Sequence, residues 1–287
     1  MTSPAVSVQG LRKSYGPLDA VRGITFEIES GETFALLGPN GAGKSTTIEI
    51  LEGYRSRSAG EVRVLGVDPS HGTTAWKSHF GIVLQTSAED SNVTVQEQLN
   101  DFALFYPHPR DVDEVIAAVG LTEKARTRIT KLSGGQRRRL DVALGVIGRP
   151  ELLFLDEPTT GFDPEARRQF WDLIRSLKHE GTTILLTTHY LDEAAALSDR
   201  AGIIAHGELI ALAAIDEIGG PSARIPIVRW QDADGVVHEE RTESPATRVS
   251  QLVAENGEPQ GLEVIRPSLE DIYFELVSSD TREPVPA

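Results

Sequence analysis

The sequence predicts an α/β fold built on a mostly parallel sheet. Three short apolar runs, residues 33–37, 152–155 and 182–188, each have the length and composition of a strand that is buried on both faces. Between them lie segments with helical spacing of apolar residues, such as 165–178 and 191–197. Strands that alternate with helices along the chain are typical of α/β domains.

The elements before and between these runs define the rest of the first domain. Val6–Val8 and Ile24–Ile28 alternate between apolar and polar residues, which predicts half-buried strands. Residues 94–149 contain no comparable buried run and are predicted to be mostly helical. We therefore predict an α/β domain over residues 1–218, with a helical subdomain inserted at about 86–150.

The composition changes around Gly219, where a second domain is predicted. Residues 219–287 contain six arginines and no lysine against 13 acidic residues, a net charge of −7. A hairpin is expected around Asp234-Gly235, and a closing helix is expected to begin after Ser268 as its N-cap. These features predict a small α+β accessory module over 219–287 with a loose tail from residue 278.

Charge and composition narrow the classes of partner. The chain has 287 residues, a net charge of −15 and no cysteine. An acidic chain repels nucleic-acid phosphates and anionic lipid, so we expect no direct nucleic-acid partner and no lipid anchor. No run of about 18 apolar residues and no signal-peptide pattern is present, and the lack of cysteine favours a cytoplasmic location.

A glycine-rich loop follows the first buried run. Its residues fit the pattern G-x-x-x-x-G-K-[ST]: Gly38, Pro39, Asn40, Gly41, Ala42, Gly43, Lys44, Ser45 and Thr46. Glycines allow backbone N–H groups to converge on phosphate oxygens, and the helix that follows directs its positive end at them. Lys44 can bind the β/γ oxygens, and the Ser45 hydroxyl can bind Mg²⁺. The alternative is a glycine-rich turn that only ends a strand, which the flanking strand and helix disfavour.

Two carboxylates end the second buried run. Asp156 and Glu157 follow Leu152–Leu155 at the carboxyl end of a predicted strand, which is the edge where ligands bind in open α/β sheets. Asp156 is placed to hold Mg²⁺, and Glu157 is placed to accept a proton from an attacking water. Without the phosphate loop, a solvated acid pair would be the better interpretation.

A second anion-binding helix start precedes this strand. Leu132-Ser133-Gly134-Gly135-Gln136 leads directly into a helical stretch, and Gln136 lies 20 positions before Asp156. In combination with the P-loop and the Asp-Glu strand end, this segment resembles the signature motif of ABC-type ATPases. The arginines that follow it, Arg137 to Arg139, are expected to form a solvated face or a partner contact.

Four further positions match this family. Gln85 matches the Q-loop glutamine, Asp163 the D-loop aspartate, His189 the switch histidine and Tyr15 the aromatic residue that stacks on adenine. Phe162 departs from the pattern, because leucine is usual there. The resemblance places Gln85 in the catalytic set and among the Mg²⁺ ligands.

The resemblance extends over about Val6 to Ile218, and the runs 188–194 and 267–273 look like the daunorubicin-resistance type of exporter ATPase. It implies ATP and Mg²⁺ as cofactors and a head-to-tail dimer, formed with a second copy or a paired ATPase. ATP would lie between the P-loop of one subunit and Ser133–Gly135 of the other, with Glu157 polarising the attacking water and His189 contacting the γ-phosphate. It further implies a separate polytopic permease, which holds the ATPase at the inner face of the cell membrane.

Two alternatives stay open. A non-transport ABC ATPase could act on DNA or ribosomes, although the long insertions or paired ATPase domains of such proteins are not present. An unrelated P-loop kinase or GTPase would leave the Ser133-Gly134-Gly135 segment unexplained. The expectation of export rather than import rests on the subfamily resemblance.

Overall fold

The computed structural model describes residues 3–83, 92–232, 234–257 and 259–279. Gln85 therefore lies outside the described residues. The chain forms two compact units, of which the first ends at Ile215 and the second begins at Asp216. In the described part of the chain, no helix has both the length and the apolar character needed to span a membrane.

The first unit is an α/β structure with nine strands and seven α-helices among its described residues. The strands are β1 (Val6–Tyr15), β2 (Leu18–Ile28), β3 (Thr33–Leu37), β4 (Ala59–Val64), β5 (Phe80–Val83), β6 (Leu152–Asp156), β7 (Thr183–Thr187), β8 (Arg200–Ala205) and β9 (Glu208–Ala214). The helices are α1 (Lys44–Leu51), α2 (Thr74–Lys77), α3 (Val95–Ala103), α4 (Val112–Ala118), α5 (Gly134–Val146), α6 (Pro164–His179) and α7 (Leu191–Leu197).

The central sheet has six strands in the order β5-β6-β7-β3-β8-β9, all parallel except the edge strand β9. Every residue of β3 and β7 is buried, as the continuous apolar runs predicted. Because β7 lies between β6 and β3, the loops after these three strands emerge side by side at one edge of the sheet. The α/β class and the parallel sheet are thus confirmed.

A second sheet, in the antiparallel order β2-β1-β4, packs on the first through aromatic residues. The rings of Phe26 on β2 and Phe34 on β3 stack with their centroids 5.4 Å apart. Phe80 makes edge-to-face contacts with Trp76 and Phe154, so that the core continues to the β5 edge. This core fixes the strands whose ends carry the candidate site.

Residues 92–150 form a helical subdomain of α3, α4 and α5, with short 3₁₀ turns at Thr122–Lys124 and Ile129–Lys131. Thr94 and Ser133 each cap a helix through a reciprocal capping box, with Glu97 and Gln136 respectively. The helical character predicted for this insert is correct over its described residues.

Over its described residues, the second unit contains a three-stranded antiparallel sheet in the order β11-β10-β12, together with three helices. Its elements are α8 (Gly220–Ala223), β10 (Ile227–Gln231), β11 (Val237–Arg241), α9 (Pro245–Asn256), β12 (Gln260–Ile265) and α10 (Leu269–Ser279). The β10–β11 hairpin occurs where Asp234-Gly235 predicted it. Ser268 Oγ accepts from Asp271 N (3.2 Å) at the start of α10, as expected for an N-cap.

Candidate active site

Two glycines of the P-loop, Gly38 and Gly43, are required by the fold itself. Gly38 has φ +154°, and a Cβ at this position would lie 2.1 Å from the Ile204 carbonyl oxygen of β8. Gly43 has φ +104°, and a Cβ there would lie 2.5 Å from the Ala20 carbonyl oxygen of β2. Backbone from two neighbouring strands therefore approaches the loop so closely that only glycine fits.

Lys44 lies at the start of α1 and bends back over the loop. Its Nζ donates to the carbonyl oxygens of Gly38 (2.6 Å) and Pro39 (3.0 Å). Burial lowers the pKa of the Lys44 ammonium, while the nearby charges of Glu157 and Asp156 act to raise it. Ser45, in the same first turn, is exposed. Lys44 of the predicted phosphate site thus lies close enough to the predicted acid pair for their charges to interact.

The acid pair is held by the neighbouring strand β7. Asp156 pairs with Thr187 across the parallel ladder, and the Thr187 hydroxyl donates a short hydrogen bond to Asp156 Oδ1. Thr187 is fully buried, so this contact fixes the Asp156 carboxylate from the side of the sheet interior. Oδ2 takes no part in that hydrogen bond and can serve a cation.

Glu157 adopts a left-handed backbone conformation, with φ +46°. This conformation is uncommon for a residue with a side chain, and it turns Glu157 away from the direction of the strand. Its backbone N–H donates to the Thr187 carbonyl (3.0 Å), and its Oε2 lies 3.3 Å from His189 Nδ1. The structure therefore brings together Glu157 and His189, which are 32 residues apart in the sequence.

The signature segment forms a separate cavity with the D-loop. A space of about 390 Å³ is lined by residues of both segments: Gly120, Ser133, Gly135, Gln136, Arg139, Gly161, Phe162, Asp163 and Ala166. Asp163 also caps α6, accepting from Ala166 N at 2.7 Å. None of these described lining residues belongs to the P-loop. The two predicted phosphate-binding segments of one chain thus contribute to different surfaces.

Tyr15 lies at the end of β1, is partly exposed and has two cations near its ring. Lys13 Nζ and the Arg55 guanidinium lie 4.9 and 5.3 Å from the centroid of its ring. Arg55 also forms an ion pair with Glu49. Tyr15 is 38% exposed, and an aromatic side chain that is accessible at this position suits stacking on a purine base.

Arg138 was not anticipated from the sequence. It was expected in a solvated face or partner contact, yet it is only 4% exposed, so this expectation is wrong for Arg138. Its guanidinium donates to the carbonyl oxygens of Asp156 (2.6 Å), Glu157 (3.1 Å) and Pro158 (3.0 Å). A signal was available: Arg138 lies four residues before Val142, on the apolar face of α5.

Glu193 is a second buried ionisable group near the site. It lies on α7 and accepts from Trp171 Nε1 at 3.2 Å. Burial raises the pKa of the Glu193 carboxyl, and hydrogen bonds from Thr188 and Thr159 oppose this shift. Glu193 thus connects the segment before His189 with the segment after Glu157, a role that its place on a short amphipathic helix did not reveal.

Comparison with known proteins decides the family. The model of the ABC transporter family matches residues 21–160. A Nod factor export ATP-binding protein I from Rhizobium sp. (strain N33) is 41% identical over 216 residues, covering 74% of this chain and 71% of that relative. The chain belongs to the ABC transporter family. The resemblance to exporter ATPases of the drug-resistance type is confirmed as well, and this ABC ATPase binds and hydrolyses ATP to power an efflux transporter.

A second relative is named for resistance to linearmycin. The linearmycin resistance ATP-binding protein LnrL from Bacillus subtilis (strain 168) is 38% identical over 212 residues, covering 72% of this chain and 68% of that relative. A Nod factor export ATP-binding protein I from Rhizobium meliloti (strain 1021) is 43% identical over 213 residues, covering 72% of this chain and 63% of that relative.

Solved structures show the same fold. An ATP-binding subunit of an ABC transporter covers 95% of this chain and 99% of its own, with a TM-score of 0.71 and 22% identity. A dimeric ATP-binding cassette in a post-hydrolysis state with ADP and Pi covers 73% of this chain and 98% of its own, with a TM-score of 0.67 and 22% identity. The predicted P-loop NTPase core is therefore confirmed at the level of the fold.

Proposed function

We propose that this ABC ATPase works as a pair of subunits that enclose ATP and Mg²⁺ and drive a separate membrane permease. The observation that carries this proposal is the separation of the two phosphate-binding segments. The P-loop adjoins the acid pair, whereas Ser133 and Gly135 line a cavity with the D-loop. One copy supplies one half of each ATP site, so a second copy, or a paired ATPase, completes it.

In this arrangement Glu157 serves as the general base. Its carboxylate oxygen Oε2 lies 3.3 Å from His189 Nδ1, so the two side chains lie next to each other beyond the carboxyl ends of β6 and β7. Glu157 accepts a proton from the attacking water, and His189 donates a hydrogen bond to the γ-phosphate. Lys44 neutralises charge on the β/γ oxygens, and Tyr15 stacks on adenine.

The residues present fit a magnesium ion. Asp156 offers a carboxylate oxygen at the carboxyl end of β6, and Ser45 offers an exposed hydroxyl in the first turn of α1. Hard oxygen donors of this kind, combined with phosphate, are those that Mg²⁺ prefers. When bound, Mg²⁺ neutralises the charge that develops on the β/γ-phosphates. Gln85 remains proposed as a further ligand.

The permease is proposed to contact the helical subdomain. Leu104 and Phe105, directly after α3, are 83% and 76% exposed, which is unusual for large apolar side chains. An apolar contact of this kind suits a short segment of a membrane protein. Through it the ATPase would lie on the cytoplasmic face of the cell membrane, where ATP is available.

The proposed cargo is a drug-like, antibiotic or otherwise lipophilic compound. This substrate class rests on the relatives, of which one is named for linearmycin resistance and others for Nod factor export. Deleting the ATPase gene together with the gene of the proposed permease should raise sensitivity to such a compound.

Affinity purification of the tagged full chain from detergent-solubilised membranes tests the partnership. We expect a polytopic membrane protein in near-equal amount, and Phe105→Asp should remove it while ATP hydrolysis persists. Thr122→Asp, which adds the same charge at another exposed position of the subdomain, is the control. Recovery with ribosomes or DNA in place of a permease would contradict a transport function and favour a non-transport ABC ATPase.

A further inference from the structure

Arg138 connects α5, the helix that follows the signature segment and is called the signature helix below, to the strand end that carries the acid pair. It lies on α5, five residues after the N-cap Ser133, and is almost completely buried. A buried guanidinium is stable only where hydrogen bonds satisfy its donors. Here the acceptors are main-chain carbonyls of three consecutive residues, Asp156, Glu157 and Pro158.

These three carbonyls belong to the segment whose conformation orients Glu157. Glu157 has φ +46°, which is unfavourable for a residue with a side chain and persists only when its surroundings determine it. On one side, the Thr187 carbonyl accepts from Glu157 N at 3.0 Å. On the other side, Arg138 donates to the carbonyls before, at and after this torsion. The guanidinium therefore helps to hold the left-handed turn in place.

The planar fork of arginine suits this task, and lysine does not. Nη2 reaches two carbonyls and Nε reaches a third, so the contacts define an orientation as well as a distance. A lysine ammonium at this position is a point charge without fixed donor directions. The neighbouring Arg137 and Arg139 contact the helical subdomain instead, through the carbonyls of Thr130 and Gly120.

We propose that Arg138 is a positioning residue for ATP hydrolysis: it fixes the main chain of residues 156–158 and thereby holds the Glu157 carboxylate in its reactive position. It touches neither nucleotide nor water in this role, and it acts through Glu157. The proposal rests on the role of Glu157 given under the proposed function. Because Arg138 belongs to the helix that Ser133 caps, the signature helix also determines the placement of the general base.

Steady-state kinetics of the purified full chain with MgATP test the proposal. For Arg138→Lys and Arg138→Gln we expect kcat per bound nucleotide to fall at least about 30-fold, while KM changes less than about threefold. The binding stoichiometry of a fluorescent ATP analogue gives the number of intact sites. Arg175→Lys, the same change in an exposed ion pair of α6, should leave both constants unchanged.

A double-mutant cycle separates positioning from a general structural role. In a Glu157→Gln background, Arg138→Lys should lower the residual rate less than about threefold, because the residue through which it acts is already disabled. An equal fold-loss in both backgrounds would overturn the proposal, as would a kcat within about threefold of wild type for Arg138→Lys. Loss of stoichiometric ATP binding in both Arg138 variants would also overturn it, since Arg138 would then serve folding.

The outcome for Glu157→Gln alone distinguishes this proposal from the one on which it rests. Substantial hydrolysis by Glu157→Gln would overturn the assignment of Glu157 as the base. Full activity of Arg138→Lys beside an inactive Glu157→Gln would overturn only the positioning role of Arg138.

Discussion

The P-loop and the signature segment both present glycines at a helix start, but they differ in what requires those glycines. At Gly38 and Gly43 a Cβ would collide with backbone of adjacent strands. At Gly134 a Cβ would have no neighbour within 4 Å, and at Gly135 it would meet only Gly161 O at an ordinary 3.6 Å. The fold of this chain requires the first pair and tolerates replacement of the second. The signature glycines therefore leave room for something outside the chain, as a nucleotide held by a second subunit would need.

The difference in steric requirement between the two segments is tested most directly at Gly38. Gly38→Ala places a Cβ against the Ile204 carbonyl, so we expect the free energy of unfolding to fall by about 3 kcal/mol or more. Urea unfolding measures this, with Gly134→Ala as the matched control. Equal stability of the Gly38→Ala and wild-type proteins would contradict the requirement.

At Gly135 the expected effects separate. Gly135→Ala should leave the free energy of unfolding unchanged or raise it by up to about 1 kcal/mol, because alanine favours a helix. ATP hydrolysis should fall at least about 100-fold, or about 2.7 kcal/mol in the barrier, because the methyl group occupies space needed by the partner's nucleotide. Urea unfolding and a steady-state ATPase assay measure the two effects. Activity within threefold of wild type would argue against a nucleotide at this surface.

Lys44 tests the charge of the P-loop rather than its shape. Lys44→Ala should weaken ATP binding at least about tenfold, or about 1.4 kcal/mol, with little change in stability. Titration with a fluorescent nucleotide measures the affinity. The exposed Lys77→Ala serves as control, and unchanged affinity of Lys44→Ala would remove this residue from the phosphate site.

The helices after the two loops also differ in the buried ionisable residue that they carry or precede, since α5 carries Arg138 and α1 is followed by Glu52. Burial, reinforced by Asp156 and Glu49, raises the pKa of Glu52 to about 8 from an ordinary 4.5. Between these values the folded chain keeps a proton that the unfolded chain has lost. The free energy of unfolding should therefore fall as the pH rises from about 4.5 to about 8.

Glu52→Gln removes this dependence. The variant should be more stable than wild type by at least about 1 kcal/mol at pH 8, and the difference should shrink toward pH 5. Urea unfolding at both pH values measures it, with the exposed Glu61→Gln as control. A stability difference independent of pH would show that Glu52 is ionised in the folded chain.

Features written in local sequence could be predicted. The runs that became β3, β6 and β7 each contain a continuous apolar stretch, and the P-loop, the Asp156-Glu157 pair and the Ser133 cap each lie within a short stretch of sequence. The neighbouring strands β8 and β9 were not predicted, because Arg200–Ala205 and Glu208–Ala214 contain alanine and glycine where strand-forming residues would have given a signal.

Contacts between distant segments could not be predicted without the fold. The distance between Glu157 and His189 depends on β6 and β7 being neighbours, and the burial of Arg138 depends on α5 packing beneath residues 156–158. A triplet of arginines suggests solvent exposure, and only the helical phase relative to Val142 opposed that interpretation. The assignments of Tyr15, Asp163 and Gln85 remain predictions that came from family resemblance.

The strand order β6-β7-β3 sets the distance between the start of the P-loop and the acid pair. Adjacent strands lie about 4.8 Å apart, so the backbone of the P-loop start and that of the acid pair are spaced by two strand widths, about 10 Å. Repacking of the core cannot change this spacing without breaking a hydrogen-bonded ladder. During evolution, the distance between the bound phosphate and the general base can therefore change only through the lengths of the side chains, one methylene at a time.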